Sequence, residues 1–328
     1  MNLWQQELAN GVTSSEVLLT RLGLEAAQVL GVDHQPAFSV RVPEPFIKRM
    51  VPGDPHDPLL RQVLSVSEER TPTPGFVADP LDEFDCVLPG VLHKYRSRVL
   101  LIYRGGCAIN CRYCFRRHFP YQEQTLTSRD VDLLINYLIE HPEVNEVILS
   151  GGDPLMADDS SIRDLLSRLE SIPTIARLRI HSRLPVVIPT RITDALCETI
   201  ASTRLPVVMV LHINHANEID GSVKCAVGRL RAVCRSVLNQ AVILRGVNDS
   251  AESLITLSER LFEAGIDPYY LNVLDRVAGS HHFDVTDEEV ATLYEALLDA
   301  LPGYLVPKLV KEVPGVGHKM PWRETARL

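Results

Sequence analysis

The chain has 328 residues, 45% of them hydrophobic, with a mean hydropathy of +0.03, a formal net charge of -9 and a pI near 5.7. That is enough apolar material for one large core or two smaller ones, while the acidic balance argues against broad binding along a nucleic-acid backbone. No run reaches the roughly 18 apolar residues of a membrane span, and the first twenty residues, with Glu7 and Glu16, lack the apolar stretch of a signal peptide, so a cytoplasmic protein without membrane contact is expected.

Residues 1–92 are rich in proline and charge, as in "VPEPFIKRMVPGDPHDPLLRQVL" and "TPTPGFVADPLDEFD". Only short helices fit between such prolines, and this stretch reads as an N-terminal, mainly helical region wrapped on the main body. From residue 98 the pattern changes to apolar, β-rich runs: "VLLIYRG" (99–105), "EVILSGG" (146–152), "RLRIHSR" (177–183), "VVMVLHI" (207–213), "AVILRGV" (241–247) and "PYYLNVL" (268–274). Helical stretches near 128–140, 160–170, 193–201, 222–236, 250–264 and 286–299 follow them, which makes six βα units. Strands apolar throughout suit a parallel sheet covered by helices, and right-handed crossovers curl it the same way at each step. Six units fall short of the eight that close a TIM barrel. The expected fold is α/β, a partial (β/α)6 TIM-type barrel over 93–300 with a short C-terminal segment at 301–328; a doubly wound sheet is the alternative.

Polar residues gather where the strands end: Arg104 and the cysteines after the first, Ser150 to Asp153 after the second, Ser182 and Arg183 after the third. His212 and Asn214 follow the fourth, Arg245 the fifth and Asp275 the sixth. In parallel α/β folds this edge carries the active site.

Of seven cysteines, Cys86, Cys197, Cys225 and Cys234 are scattered and read as small buried residues of a reducing compartment. Cys107, Cys111 and Cys114 differ, since they form C-x3-C-x2-C in the loop after the first strand, and thiolates at such spacings can converge on one metal centre. Two centres fit the residues alone: an iron-sulfur cluster, or zinc with His118 as a fourth ligand.

"GCAINCRYCFRRHFPY" resembles the cluster loop of the radical S-adenosylmethionine superfamily. In that superfamily three cysteines hold a [4Fe-4S] cluster whose fourth iron is left for S-adenosyl-L-methionine. "LSGGDPL" at 149–155 resembles the glycine motif after the second strand, where Ser150, Gly151, Gly152 and Asp153 would lie near that cofactor. Together with "HSRLPVVIPTRIT", "HINHANEI", "VILRGVND" and "PYYLNVLD", these motifs resemble the lysine 2,3-aminomutase family over roughly residues 85–320. "DPLLRQVL" and the cysteine loop are similar to the branch of that family that forms (R)-β-lysine from L-lysine for modification of elongation factor P.

The resemblance implies pyridoxal 5'-phosphate as a third cofactor, with Lys319 in "VPGVGHKMP" as its Schiff-base lysine, and it implies a reducing electron donor. By position, Lys94 and Arg98 match basic residues around the PLP phosphate and Arg116 the arginine that grips the substrate carboxylate. Asp275 matches an acid for the lysine amino groups, and Glu312 a second acid that is usually Asp. Ser182, His212 and Gln240 match positions near S-adenosylmethionine. The family's zinc-binding C-terminal extension has no counterpart before Leu328, so no structural zinc is expected. An aminomutase acting on glutamate and a zinc-stabilised binding module are the competing readings. The sequence leaves a homo-oligomer open.

Overall fold

The structure, a computed structural model, describes residues 2–127 and 129–325. Nine strands form one sheet: β1 (Val91–Tyr95), β2 (Arg98–Arg104), β3 (Glu146–Gly151), β4 (Arg177–Ser182), β5 (Val207–His212), β6 (Ser236–Val242), β7 (Asp267–Asn272), β8 (Lys308–Lys311) and β9 (Met320–Pro321). Their order in the sheet is their order in the chain. A doubly wound sheet reverses its strand order part-way, so that alternative is excluded and the sheet is a partial barrel. The strands from β2 to β8 run parallel, while β1 and β9 pair antiparallel with their neighbours at the two edges.

The helices between strands bury one face each. Asp159–Glu170 buries Ile162, Leu165, Leu166 and Leu169, and Asp287–Ala300 buries Val290, Leu293 and Leu297, the spacing of a single apolar stripe. Caps fix their starts: Thr286 accepts from the Glu289 amide, and Ser250 from that of Ser253 at the head of Ala251–Glu263. The helix expected from residue 128 runs Asp130–Glu140, and Ser128 lies outside the described residues.

One expected strand is corrected. The fifth was placed at 241–247, but β6 is Ser236–Val242, and the preceding helix ends at Val233 rather than 236. The Arg235 amide already bonds Val207 O at 2.7 Å. Side chains end the ladder beyond Val242: Asn214 Oδ1 accepts from its amide, and Asn248 Nδ2 donates to its carbonyl, both at 2.9 Å. Strands β1, β8 and β9 were not expected at all, each being short.

The N-terminal helices, including Leu3–Ala9, Ser15–Arg21 and Pro58–Arg61, put Trp4, Leu18, Leu19, Leu59 and Leu60 into the same apolar core as the strands and outer helices. Polar contacts tie this segment to loops beyond the strand ends. Arg49 donates to Val186 O at 2.5 Å, Arg61 Nε to Arg245 O at 3.0 Å, and Gln62 Nε2 to Glu218 Oε1 at 3.1 Å. Among the described residues no helix is long and apolar enough to cross a membrane.

Candidate active site

Along β4 the side chains alternate. Leu178 and Ile180 are fully buried, whereas Arg179 and His181 line a cavity of about 340 Å³, the two-residue period of a strand. Every residue matched by the resemblance to a cofactor or the substrate lines this one cavity, which also takes in Glu83, Tyr95, Arg183, Tyr270 and Asn272. Arg104 and Arg245, though at strand ends, do not line it. Arg104 lies over the Tyr103 ring, and Arg245 donates to Glu289 at 2.6 Å.

The thiol loop and the glycine turn are packed backbone to backbone. A Cβ on Gly152 would stand 2.4 Å from Gly106 O, and the Asp153 amide donates to that same oxygen at 2.9 Å. Gly151 has φ +112°, and a Cβ there would meet Arg104 O at 2.7 Å, so both positions require glycine. Asp153 then joins this turn to the end of β4. Its Oδ1 accepts from Ser182 Oγ at 2.8 Å, and its Oδ2 from the Arg183 and Leu184 amides at 2.8 and 2.9 Å.

Cys107, Cys111 and Cys114 are free thiols on the cavity wall. Burial pushes the Cys107 thiol well above its ordinary range, reinforced by Cys114, Asp153 and Cys111, and Cys114 rises to about 11 through burial and the nearness of Cys111. Two half-buried thiols that resist ionising, Cys107 and Cys114, with Cys111 close by, suit a cationic centre that would displace their protons. Arg183 adds a hydrogen bond to Cys111 Sγ at 2.6 Å and also donates to Tyr113 Oη, Gln62 Oε1 and Glu218 Oε2. The zinc alternative does not assemble. His118 Nε2 bonds Ala278 O at 3.1 Å, His118 is not part of the cavity wall, and among the described residues no three His, Cys, Asp or Glu side chains stand in a mononuclear ligand arrangement. Thiolates of a cluster bind separate irons and need no such closeness.

Around the cysteines the ionic partners are specific. Arg116 donates from Nε to Glu83 Oε2 at 2.6 Å and from one terminal nitrogen to Ser150 Oγ at 3.0 Å. Lys94 reaches the other Glu83 oxygen at 3.0 Å and Leu81 O at 2.8 Å. Burial opposes the Glu83 charge, but Arg116 and Lys94 hold its carboxyl below the usual range. Glu83 was not foreseen; nothing in "PLDEFD" separates it from its acidic neighbours. Arg98 stacks on the Tyr95 ring at 4.0 Å. His212 stacks on Tyr113 and bonds its hydroxyl at 2.9 Å, and burial with Arg183 nearby lowers its pKa to about 3.

At the C-terminal edge Lys319 directly precedes β9, and Glu312 directly follows β8. The β8–β9 pairing, with Lys311 opposite Met320, brings Lys319 Nζ to 3.3 Å from Glu312 Oε2 and 2.9 Å from Asn272 Oδ1. Tyr95 Oη donates to Glu312 Oε1. Asp275 stands beside them. Its open surface faces the cavity rather than bulk water, and burial, opposed by Lys319 and reinforced by Glu312, lifts its carboxyl to about 6.

The radical SAM superfamily pattern matches residues 101–295. The chain is 51% identical over 320 residues to an L-lysine 2,3-aminomutase of Escherichia coli, covering 97% of this chain and 94% of that one. A namesake from Haemophilus influenzae is 48% identical, covering 98% and 96%. The chain belongs to the L-lysine 2,3-aminomutase family. A third member, from Clostridium subterminale, is 32% identical, with 98% of this chain and 77% of that one covered. As a radical SAM protein the chain takes a [4Fe-4S] cluster and S-adenosylmethionine, and it is an isomerase of the aminomutase kind.

Proposed function

We propose that this chain converts L-lysine to (R)-β-lysine with pyridoxal 5'-phosphate linked to Lys319. The observation that carries this reading is the convergence of the three thiols, Lys319 and the acids Asp275 and Glu312 on one cavity of about 340 Å³. When bound, the cluster with S-adenosylmethionine supplies a hydrogen-abstracting radical, and PLP carries the amino group through its migration.

The chain's own residues bind, orient and enclose. Lys94 and Arg98 are the cations for a phosphate. Arg116 uses Nε for Glu83 and one terminal nitrogen for Ser150, and keeps the other for the substrate carboxylate. A lysine side chain brings a second ammonium, and enclosing that charge without a partner would cost several kcal/mol; Asp275 and Glu312 supply the partners. Glutamate would set a third carboxylate against the same two acids. The parallel strands hold these groups on rigid supports around one cavity, which orients the reacting atoms. Ser182, His212 and Gln240 belong to the S-adenosylmethionine side.

The deciding experiment is anaerobic incubation with lysine, S-adenosylmethionine, PLP and a reductant, followed by separation of α- and β-lysine. Borohydride reduction and peptide mapping should place the pyridoxyl group on Lys319, and label on another lysine would overturn that assignment. We propose further that the product serves the modification of elongation factor P. The branch-like motifs support this, as does the higher identity to the first two relatives than to the third. Mass spectrometry of elongation factor P from cells lacking this protein tests it, and an unchanged β-lysyl modification would refute it.

A further inference from the structure

His181 lies on the cavity wall next to the residues assigned above, yet it has no part in that assignment. It occupies the inward face of β4, opposite Val210 of β5 in the strand register. Its Nδ1 is 3.5 Å from Gln240 Nε2, at the outer limit of a hydrogen bond. A side-chain amide nitrogen can only donate, so Nδ1 is the acceptor and the single proton of the neutral ring sits on Nε2. That Nε2 is buried and has no hydrogen-bond partner among the described residues. Burial keeps the ring neutral, and the neighbouring cations Arg179, Lys319 and Arg116, with His212, act in the same direction.

A buried donor without a partner is costly, and here it sits in a chamber built for ligands. From this geometry we infer that His181 is a binding residue for the pyridine nitrogen of PLP, to which its Nε2–H donates. The inference rests on the PLP reading above. Enzymes that need PLP as an electron sink place an acid beside this nitrogen to protonate it. A neutral imidazole cannot do so, because its donor would have to become imidazolate. It holds the ring by a hydrogen bond and leaves the nitrogen unprotonated, which suits a migration in which no carbanion must be stabilised. Arg179, the other cavity-lining residue of β4, is held by Glu146, to which its Nε and one terminal nitrogen donate at 2.7 and 2.5 Å, whereas the buried His181 donor has no such tie.

The test uses the full chain without cluster or S-adenosylmethionine, titrated with PLP labelled with ¹⁵N in the ring. His181→Phe should weaken PLP binding about ten-fold, the loss of one hydrogen bond, and should move the ¹⁵N resonance of the ring nitrogen. His181→Gln, which keeps an N–H donor, should restore most of the affinity, and all three proteins should melt alike. Binding and resonance unchanged in both variants would overturn the inference while leaving the PLP reading intact. Failure of the wild-type chain to link PLP to Lys319 would overturn both. Separately, S-adenosylmethionine affinity of the cluster-loaded protein should be unaffected by His181→Phe; a loss confined to that ligand would reassign the donor and refute the inference.

Discussion

Glu312 Oε2 stands 3.3 Å from Lys319 Nζ, and its other oxygen accepts the Tyr95 hydroxyl. The family resemblance gives Glu312 to the substrate ammonium, but in the ligand-free chain the same carboxylate holds the lysine that would receive PLP. Were Lys319 joined to a cofactor as an imine, it would no longer present a free ε-ammonium to Glu312, which could then meet the cation of an incoming lysine while that linkage lasts. One acid can therefore serve both ammonium groups in turn.

This sequential use makes the two acids distinguishable. Glu312→Gln should raise the lysine KM by about ten-fold or more, as expected for a lost charge-assisted hydrogen bond of roughly 1.5–3 kcal/mol, and should also alter the rate at which PLP becomes linked to Lys319. Asp275→Asn should raise KM while PLP uptake stays as in the wild type. A double-mutant cycle on KM should show coupling, because both groups would touch one substrate. Wild-type lysine kinetics in both variants would count against lysine as the substrate.

Asp275 also gives the empty protein a pH dependence of definite sign. Its folded pKa of about 6 lies above the ordinary 3.8, so the folded state binds the proton more tightly than the unfolded chain. Its contribution is full below pH 4 and lost as pH rises through 6. The loss is on the order of 3 kcal/mol at most, and less where cavity water screens the charge. Asp275→Asn should therefore gain stability relative to the wild type at pH 8, and little at pH 4.5. Thermal melts of ligand-free protein at both values check this, and parallel pH profiles for the two proteins would sink it. Binding a cationic substrate should remove the penalty.

How far the sequence was legible follows from where each contact comes from. The thiol loop, the glycine turn and five of the six expected strands are local features, each written in a run of under twenty residues. β6 was misplaced because its inward positions include Gln240 and a buried position holds Asn239, whose amide bonds both backbone groups of Ile213. The apolar "AVILRGV" looked more like a strand than the polar segment that forms one. Glu83 and Tyr95 went unseen because their partners are far along the chain, Arg116 lying 33 positions after Glu83 and Glu312 lying 217 positions after Tyr95. His181 sits inside a recognised motif, but its lack of a partner exists only in three dimensions.

For the thiols, Cys107→Ala, Cys111→Ala and Cys114→Ala should each remove the cluster and all activity while the chain stays folded, since the buried strands and helices do not depend on them. Iron and sulfide analysis together with circular dichroism measures both halves. Full cluster content in any one variant would remove that cysteine from the ligand set. PLP uptake should persist, because Lys319 belongs to the opposite edge of the sheet.

The close approach of the glycine turn to the thiol loop gives the sharpest steric test. In Gly152→Ala the new methyl would stand 2.4 Å from Gly106 O, 2.7 Å from its carbonyl carbon and 2.9 Å from its nitrogen, all backbone atoms that cannot rotate away. The two loops must part, which would break the Asp153–Gly106 hydrogen bond and shift Cys107, the next residue in the thiol loop. Overpacking of this kind costs about 1–3 kcal/mol, so a lowered Tm and a reduced iron content after reconstitution are expected. Gly106→Ala is the control. A Cβ there meets nothing within 4 Å, so this variant should keep both stability and iron, although it lies in the same contact and next to the same cysteine. If the two variants lost iron equally, mobility of the loop rather than its packing against Gly152 would be what the cluster requires.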